Sequence, residues 1–406
     1  MDKRDFLKTL LAGGAGLFLN QTPLLGQQQQ KLAPPPVEIG LKLPPVQVQP
    51  HSSEIVLNSR YSFHGGYSGT LPQQVVANVA WATSKAPVIG SSRTIYVALP
   101  DAVYVYNEKA HCLIFHKAGN HLSEPNLAFE VGVSGELEED AGACLHYSQL
   151  AAVSFWTSTT DQPCCCVKDS GKTWANSRWD PDSTIHQVCC FGHANSVNGI
   201  TDQLVAVSSD GSLPDPTTDG ALLLENALGN LKYGDQFGAA ELDLADLAQI
   251  AWGSYGCVPH YAIGKGALTV ASAVAYYYMT GRIYMVRSDG VERYHVRQPS
   301  GSTSSRDHRI ERVTTGDRRS NLRAATSKVS QSAPNYFVFC AAGSNNWQRV
   351  EAGFCGASAL LEATSIGVKG HCAAGFTSQE RTAIINALSI PSNHYPLLVF
   401  ATGHER

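Results

Sequence analysis

The chain has 406 residues, long enough for two cores of ordinary size, and 43% hydrophobic with 16% charged residues describes a globular protein rather than a disordered or fibrous one. A formal net charge of −4 leaves no basic excess for a nucleic-acid backbone, which argues against nucleic acid as the main partner. Eleven cysteines are too sparse for a disulfide scaffold, and their spacing does not follow a zinc framework.

Residues 1–27, MDKRDFLKTLLAGGAGLFLNQTPLLGQ, have a basic start, a short apolar run and a polar exit, the anatomy of an export signal. KRDFLK is similar to a twin-arginine signal with Lys3 in place of the first arginine, so the expected location is the periplasm or cell envelope of a bacterium. No further apolar run is long enough to span a membrane. Residues 28–52 are rich in Gln and Pro and read as an extended linker, with little packed structure before Ser53.

In the first half, residues 53–222, NSRYSFHGGYSG places Arg60 and Ser62 ahead of a Trp-bearing helix. Arg60 is a candidate phosphate partner, because a guanidinium offers forked donors; a solvated loop arginine is the alternative. ANVAWATSKAP then gives the helix, and IYVALPDAVYVY a strand, a turn and a strand. LSEPNLAFEVGVSGELEEDAGACLHYSQLAAVSFWTST reads as a loop, an apolar helix and a strand. Cys164 to Cys166, Cys189 and Cys190, with His186 and His193, raise a metal or redox centre, but adjacent cysteines do not converge on one tetrahedral ion. They read better as compact hydrophobes on a small-residue helix, with disulfides open to an exported chain. The turn-rich run SSDGSLPDPTTDG marks the boundary between halves.

In the second half, residues 223–406, the apolar periodicity of LDLADLAQIAW predicts a buried helix with Asp243 and Asp246 outside. A Gly-rich loop follows, then ALTVASAVAYYY leads into RIYMVRSDGVERY, whose hairpin turn is carried by Ser288, Asp289 and Gly290. This order repeats the first half: Trp252 falls on Trp81, and Ile283 to Tyr294 align without a gap on Ile95 to Tyr106. Two matches in the same order imply an internal duplication. The first copy lacks the Gly-rich loop and the segment GKGALTVASAVAYYY. The basic run TSSRDHRIERVTTGDRRSNLRAA reads as a solvated segment with Asp307, Glu311 and Asp317 as internal partners, a substrate lid or an anionic-substrate patch being the alternatives. AAGF supplies backbone N–H groups free of large side chains, and Lys232, Lys265, Arg282 and Arg406 are candidate anion partners on separate elements.

The second half resembles the nitroreductase superfamily of flavoproteins, within it most closely the dehydrogenases that oxidise azolines in peptides. The likeness rests on LKYGDQF, LTVASAVAYY, NWQRVEAGFCGASALLEATSIGVKGHCAAGF and PLLVFATGHER. It implies an α+β fold of two nitroreductase-like halves, each a mostly antiparallel sheet with helices, packed as an intrachain pseudo-dimer. It implies FMN bound between the halves and ping-pong hydride transfer to or from a small-molecule or peptide substrate, with the chemistry belonging to the flavin. Lys232 stands where a family arginine binds FMN, with Leu231 and Asp235 in place of two others. Ser272 lies in the segment alongside the flavin, Ala374 and Gly375 in the loop near its ring, and Arg406 after the last strand, where a cation meets the phosphate. The helix from about Val350 to Ile366 presents small residues to a partner helix. Arg60 is a second phosphate candidate, and His260, Tyr276 and Tyr277 are possible substrate-side groups. One FMN per chain is expected, because the first copy is partly degenerate; a flavin-free binding or structural protein on the same fold is the alternative.

Overall fold

The computed structural model describes residues 40–406 apart from 61, 63–66, 69, 156–162, 195–204, 207–210, 263–264, 273–275 and 298–304. The export segment and the start of the linker lie outside the described residues, as do the side chains of Cys164, Cys165, His260 and Lys265.

The first half runs β1 (Leu41–Lys42), α1 (Ser53–Ser59), β2 (Tyr67–Ser68), α2 (Gln73–Lys85), β3 (Arg93–Ala98), β4 (Ala102–Asn107), β5 (Cys112–Ala118), β6 (Phe129–Gly135), α3 (Glu138–Val153), β7 (Pro163–Val167), α4 (Asp169–Arg178) and β8 (Ile185–Ala194). There follow β9 (Val205–Ala206), α5 (Leu224–Gly229), α6 (Leu244–Tyr255), β10 (Cys257–Ala262), β11 (Lys265–Leu268), β12 (Ile283–Arg287), β13 (Gly290–Arg297), β14 (Ser305–Thr315), α7 (Arg319–Ala325), β15 (Asn335–Ala341), α8 (Asn346–Ser365), β16 (Lys369–Ala374), α9 (Ser378–Leu388) and β17 (Tyr395–Gly403). None of the described helices is long and apolar enough to cross a membrane.

The two halves share one topology. In the first sheet the strands lie in the order β5-β4-β3-β6-β8, and in the second β14-β13-β12-β15-β17. In each, a helix follows the fourth strand of the chain order (α3 after β6, α8 after β15), and a penultimate strand joins the edge of the last one antiparallel, β7 on β8 and β16 on β17. The aligned sequences at Ile95 and Ile283 open equivalent hairpins, with Tyr96 opposite Val105 and Ile283 opposite Tyr294. Gly290 closes the second hairpin at φ +156°, where a side chain would run into the Thr314 carbonyl of β14. The fold is therefore α+β with two like halves, as the sequence implied. The β10–β11 pair belongs to the second half alone.

The halves meet through reciprocal contacts. Ser53 N–H donates to Leu222 O at 3.1 Å and Leu224 N–H donates to His51 O at 3.0 Å, so the starts of α1 and α5 hold each other. Deeper in, α3 and α8 cross where neither has a side chain. A Cβ on Gly142 would lie 2.9 Å from the Val350 carbonyl carbon, and a Cβ on Gly353 would lie 2.9 Å from that of Glu139, both inside ordinary contact. Glycine is required here by the approach of two backbones. The small face expected of the C-terminal helix is thus used against its counterpart from the first half. α8 is buried along nearly its whole length, and a capping box between Asn345 and Gln348 satisfies its first turn. At the crossing Arg349 donates to Glu139 from Nε and Nη2, both at 3.0 Å, a forked pair that joins the halves.

Four expectations change. Cys166, Cys189 and Cys190 lie on strands β7 and β8 rather than on a helix, because the alternating apolar residues of IHQVCCFGHA fit a pleated, covered surface. The segment before α3 is a strand, since FEVGVSG alternates as β6, and the helix follows it. The Gly-rich loop after α6 is drawn into the β10–β11 hairpin. From Gly40 onward the linker packs: Leu43 is buried, Gln47 N–H donates to Asn78 Oδ1 at 3.1 Å, and Gln49 N–H donates to Glu225 Oε2 at 3.1 Å. Its prolines keep it extended, while its alternate residues find partners.

The basic run forms β14 and α7, and its charges are paired locally. Arg309 meets Asp307 at 2.8 Å, Arg293 meets Glu311 at 2.7 Å, and Arg319 meets Asp317 at 2.7 Å. Asp307 and Glu311 on β14, and Asp317 just ahead of α7, are the internal partners expected.

Candidate functional site

The richest polar cluster lies in the seam, where the end of α1, the middle of α3, the C-terminal end of α6 and the N-terminal half of α8 converge. Arg60 follows α1 and is 2% exposed. Its Nε donates to Thr269 O at 2.8 Å, and its Nη2 donates to Leu268 O at 2.8 Å and Val270 O at 2.9 Å. Nη1 reaches Ser62 Oγ at 3.1 Å and Gln149 Oε1 at 3.5 Å. A first-half guanidinium therefore grips three consecutive carbonyls of the second half, on the segment that the first half lacks. Its fork is taken up by backbone oxygens rather than turned to a phosphate.

Two residues beyond that grip, half-buried Ser272 donates from its hydroxyl to Glu351 Oε2 and accepts the Tyr277 N–H at 2.7 Å. Glu351 sits in the first third of α8 with no exposure. The Tyr255 hydroxyl donates to its Oε1 at 2.6 Å, and the Met279 N–H points to the same oxygen at 3.3 Å. No cation is among these partners. Burial therefore pushes the Glu351 carboxyl up to about 7, against the pull of the hydrogen bonds from Ser272 and Tyr255. Tyr277 holds a left-handed backbone at φ +50°, a strained conformation for an aromatic residue, and its ring meets Tyr255 edge-on at 6.3 Å. Tyr276 is exposed and stacks on Tyr278 with centroids 5.7 Å apart, whereas Tyr277 is buried.

Across the seam, α3 contributes His146 and Gln149, both without exposure. Both ring nitrogens of His146 and Nε2 of Gln149 lack a hydrogen-bond partner. Burial and the neighbouring Arg60 charge hold His146 well below the usual imidazole range, so it is neutral, with one N–H donor and one bare acceptor. Unmet polar atoms at this depth each cost on the order of 1–3 kcal/mol, so a native fold seldom keeps three of them together.

The remaining sequence-predicted residues lie elsewhere. Lys232 is exposed at the far end of α8, its Nζ donating to Gly367 O at 2.7 Å, roughly 20 Å along the helix axis from Glu351. Arg406 lies at the same end, exposed, just after Glu405 bridges to Phe237. Ala374 pairs with Leu398 at the opposite end of the β16–β17 ladder from Gly403, about 17 Å away at strand rise. Gly375 follows at φ +66°, its carbonyl held by Lys328 Nζ at 2.5 Å and its Cα facing Leu137. The six candidates thus fall into three groups. Arg60 and Ser272 share the seam, Lys232 and Arg406 share the end of α8, and Ala374 and Gly375 stand apart. Arg282, a further anion candidate, donates to Tyr278 O at 3.1 Å.

Sequence reasoning missed Glu351, Tyr255, His146 and Gln149. The signal for Glu351 was present, since it lies four and seven residues before Cys355 and Ser358 on the packed stripe of α8, where an acid has no business being solvated. His146 and Gln149 carried no such mark, because a helix buried all round has no polar face to set them against.

No protein-family model matches the chain, and no curated protein matches it. Among solved structures, a protein from Anabaena variabilis assigned as a nitroreductase superposes with a TM-score of 0.56 at 10% identity, over 86% of this chain and 94% of its own. This chain has a nitroreductase fold. That nitroreductase-fold likeness takes in both halves at once. A protein from Ralstonia eutropha assigned as a nitroreductase matches 52% of this chain and 97% of its own, at 21% identity and a TM-score of 0.39. The microcin synthetase McbBCD of E. coli, in complex with truncated pro-MccB17, matches 43% of this chain and 67% of its own, at 16% identity and a TM-score of 0.31.

Proposed function

We propose that the chain is an FMN-dependent oxidoreductase that arose by tandem duplication, with its two halves standing in for the two subunits of a nitroreductase-type dimer. The observation that carries this reading is the reciprocal seam: the α1–α5 backbone pair and the Gly142–Gly353 crossing relate the halves as two copies of one protein would be related. Joining the copies removes the association cost of a separate subunit.

The residues of the seam suit the ring of the cofactor better than its phosphate. Gln149 Nε2 and a His146 N–H are buried donors without acceptors, and the oxygen-edged pyrimidine end of a flavin carries acceptors of that kind. Ser272 would flank the ring from the second half, and exposed Tyr276 would meet substrate. Arg60 would act as the clamp that fixes the Leu268–Val270 backbone beside the ring. Bound flavin would supply two-electron hydride chemistry on a small-molecule or peptide substrate. The protein's part is to orient the ring, exclude water behind Tyr255 and Tyr277, and handle the proton at Ser272.

A second reading, a flavin-free binding protein on the same fold, is favoured by one observation: Arg60 spends its donors on carbonyls while Lys232 and Arg406 lie roughly 20 Å away. Purified protein titrated with FMN separates the two. Quenching of flavin fluorescence saturating at one FMN per chain supports the oxidoreductase. A colourless protein that leaves FMN fluorescence unchanged supports the second reading.

A further inference from the structure

We propose that Ser272 and Glu351 form a proton relay in the seam, in which the Ser272 hydroxyl exchanges a proton with substrate and the carboxyl of Glu351 refills or drains it. The proposal rests on the flavin reading for its chemistry and on the geometry of this chain for its parts. Ser272 is half-buried, whereas Glu351 behind it has no exposure, so a proton held on Glu351 reaches the seam through the hydroxyl. The hydrogen bond between them is direct. The Tyr277 N–H occupies one lone pair of Ser272 Oγ, which leaves its other lone pair and its O–H to be shared between the carboxyl and the seam. Tyr255 fixes the other carboxyl oxygen and is in turn held against the Met279 N–H at 3.0 Å.

Among the described residues, the groups that face Glu351 are Tyr255 from α6, Ser272 and the Tyr278 and Met279 backbone amides from the segment after β11, and Cys355 one turn along α8. Burial raises Tyr255 and Cys355 well above their ordinary values, so neither competes for the proton near neutrality. Glu351, poised at about 7, is the one group of this set that changes charge in the physiological range. A buried carboxyl with no cation among its described partners, wired to a half-exposed hydroxyl, is a costly arrangement for structure alone.

The step balances as follows. Were bound flavin to supply a hydride to a quinone, the quinone would be reduced by two electrons to the hydroquinone level, and its oxygen would take the Ser272 proton as that O–H bond breaks. Ser272 Oγ in the same event takes the Glu351 proton, leaving a carboxylate that is reprotonated from water between turnovers. Substrate oxidation runs the same transfers in reverse. Glu351 acts through Ser272 and is a positioning and proton-supplying residue, while Ser272 is the group that touches substrate.

The test has two arms. Infrared difference spectra across a pH titration of the full chain without flavin are expected to show a protonated-carboxyl C=O stretch that disappears around pH 7, is absent in Glu351→Gln and shifts in Ser272→Ala. A stretch that persists to pH 9 or is gone by pH 5, or one that Ser272→Ala leaves in place, overturns the relay. In the second arm, FMN-loaded protein is reduced with dithionite and mixed with menadione in stopped flow. Above about pH 7 the reoxidation rate should fall about tenfold per pH unit in the native chain and become flat in Glu351→Gln. An unchanged profile in that variant overturns the relay. Failure of FMN to bind overturns the flavin reading alone, and the infrared arm then decides whether the dyad holds and passes a proton.

Discussion

Replacing Gly142 or Gly353 by alanine tests the seam at its tightest point. A methyl group on Gly142 would lie 2.9 Å from the Val350 carbonyl carbon and 3.0 Å from Gly353 Cα, and closer still to the Val350 oxygen. A methyl group on Gly353 would lie 2.9 Å from Ala143 N and 2.9 Å from the Glu139 carbonyl carbon. Ordinary contact begins at 3.4 Å, and every one of these neighbours is main chain, so no rotamer change relieves the overlap. The helices must part, loosening the packing of α3 on α8 and the Arg349–Glu139 fork beside it. Overpacking of this kind costs about 1–3 kcal/mol, and the strained ion pair places each substitution toward the upper end, about 3 kcal/mol. The two positions share one crossing, so room opened by the first methyl serves the second, and the double variant should fall at least 1 kcal/mol short of the sum. Urea unfolding of the two single variants and the double variant measures this. Gly229→Ala, whose methyl would meet only Trp81 at 3.8 Å, is the control and should stay within about 0.5 kcal/mol of the native chain. Single variants as stable as that control, or strictly additive costs, would refute the close crossing of the two halves.

Arg349→Met leaves the fully buried Glu139 carboxylate without its forked partner, and a loss of about 3–5 kcal/mol in urea unfolding is expected, only partly restored by Arg349→Lys. Arg60→Met strips the donors from the Leu268, Thr269 and Val270 carbonyls and should cost roughly 3 kcal/mol or more; a change below 1 kcal/mol would mean that the clamp is dispensable. Glu351 binds its proton more tightly when folded, its carboxyl rising from 4.5 to about 7, so its contribution is whole below pH 4.5 and is lost as pH climbs to 7. Over that window stability should fall by roughly 3 kcal/mol in the native chain, and Glu351→Gln should flatten the slope; an equal slope in both removes Glu351 as its source.

Much of the fold was legible because its elements announce themselves locally. IYVALPDAVYVY and IYMVRSDGVERY carry strand alternation around a turn, so their equivalence survives in one dimension, and each became the central hairpin of its sheet. Asp243 and the apolar run behind it mark the start of α6 for the same reason. The cysteine-rich pair β7 and β8 was misread because three cysteines in a row have no period, and their strand character comes from pairing with one another across the sheet. The site was harder still. Arg60 was singled out for its fork, and the fork is used, but on carbonyls 208 to 210 residues away that no local pattern reveals. Ser272 stands out by its segment, while Glu351, which the structure places beside it, lies inside a helix read only for its small residues.

The two halves differ where it matters for chemistry. Each half has a crossing helix at the same place in its topology, and Asp140 and Glu351 both sit two residues before a crossing glycine. Asp140 is spent on the Ile89 and Gly90 N–H groups, both at 2.7 Å, and so caps the turn after α2. The second half carries in addition β10, β11 and the segment to Met279, which brings the Ser272 hydroxyl and the Met279 and Tyr278 amides to Glu351. Burial raises both carboxyls above their ordinary values, and Glu351, held by the Ser272 and Tyr255 hydroxyls and the Met279 and Tyr278 amides, is brought to about 7. The extra segment of the second half thus gives Glu351 a hydroxyl partner and supplies the carbonyls that Arg60 grips. In the flavin reading proposed above, this asymmetry puts a single working site on the side of the seam lined by the segment from Leu268 to Met279.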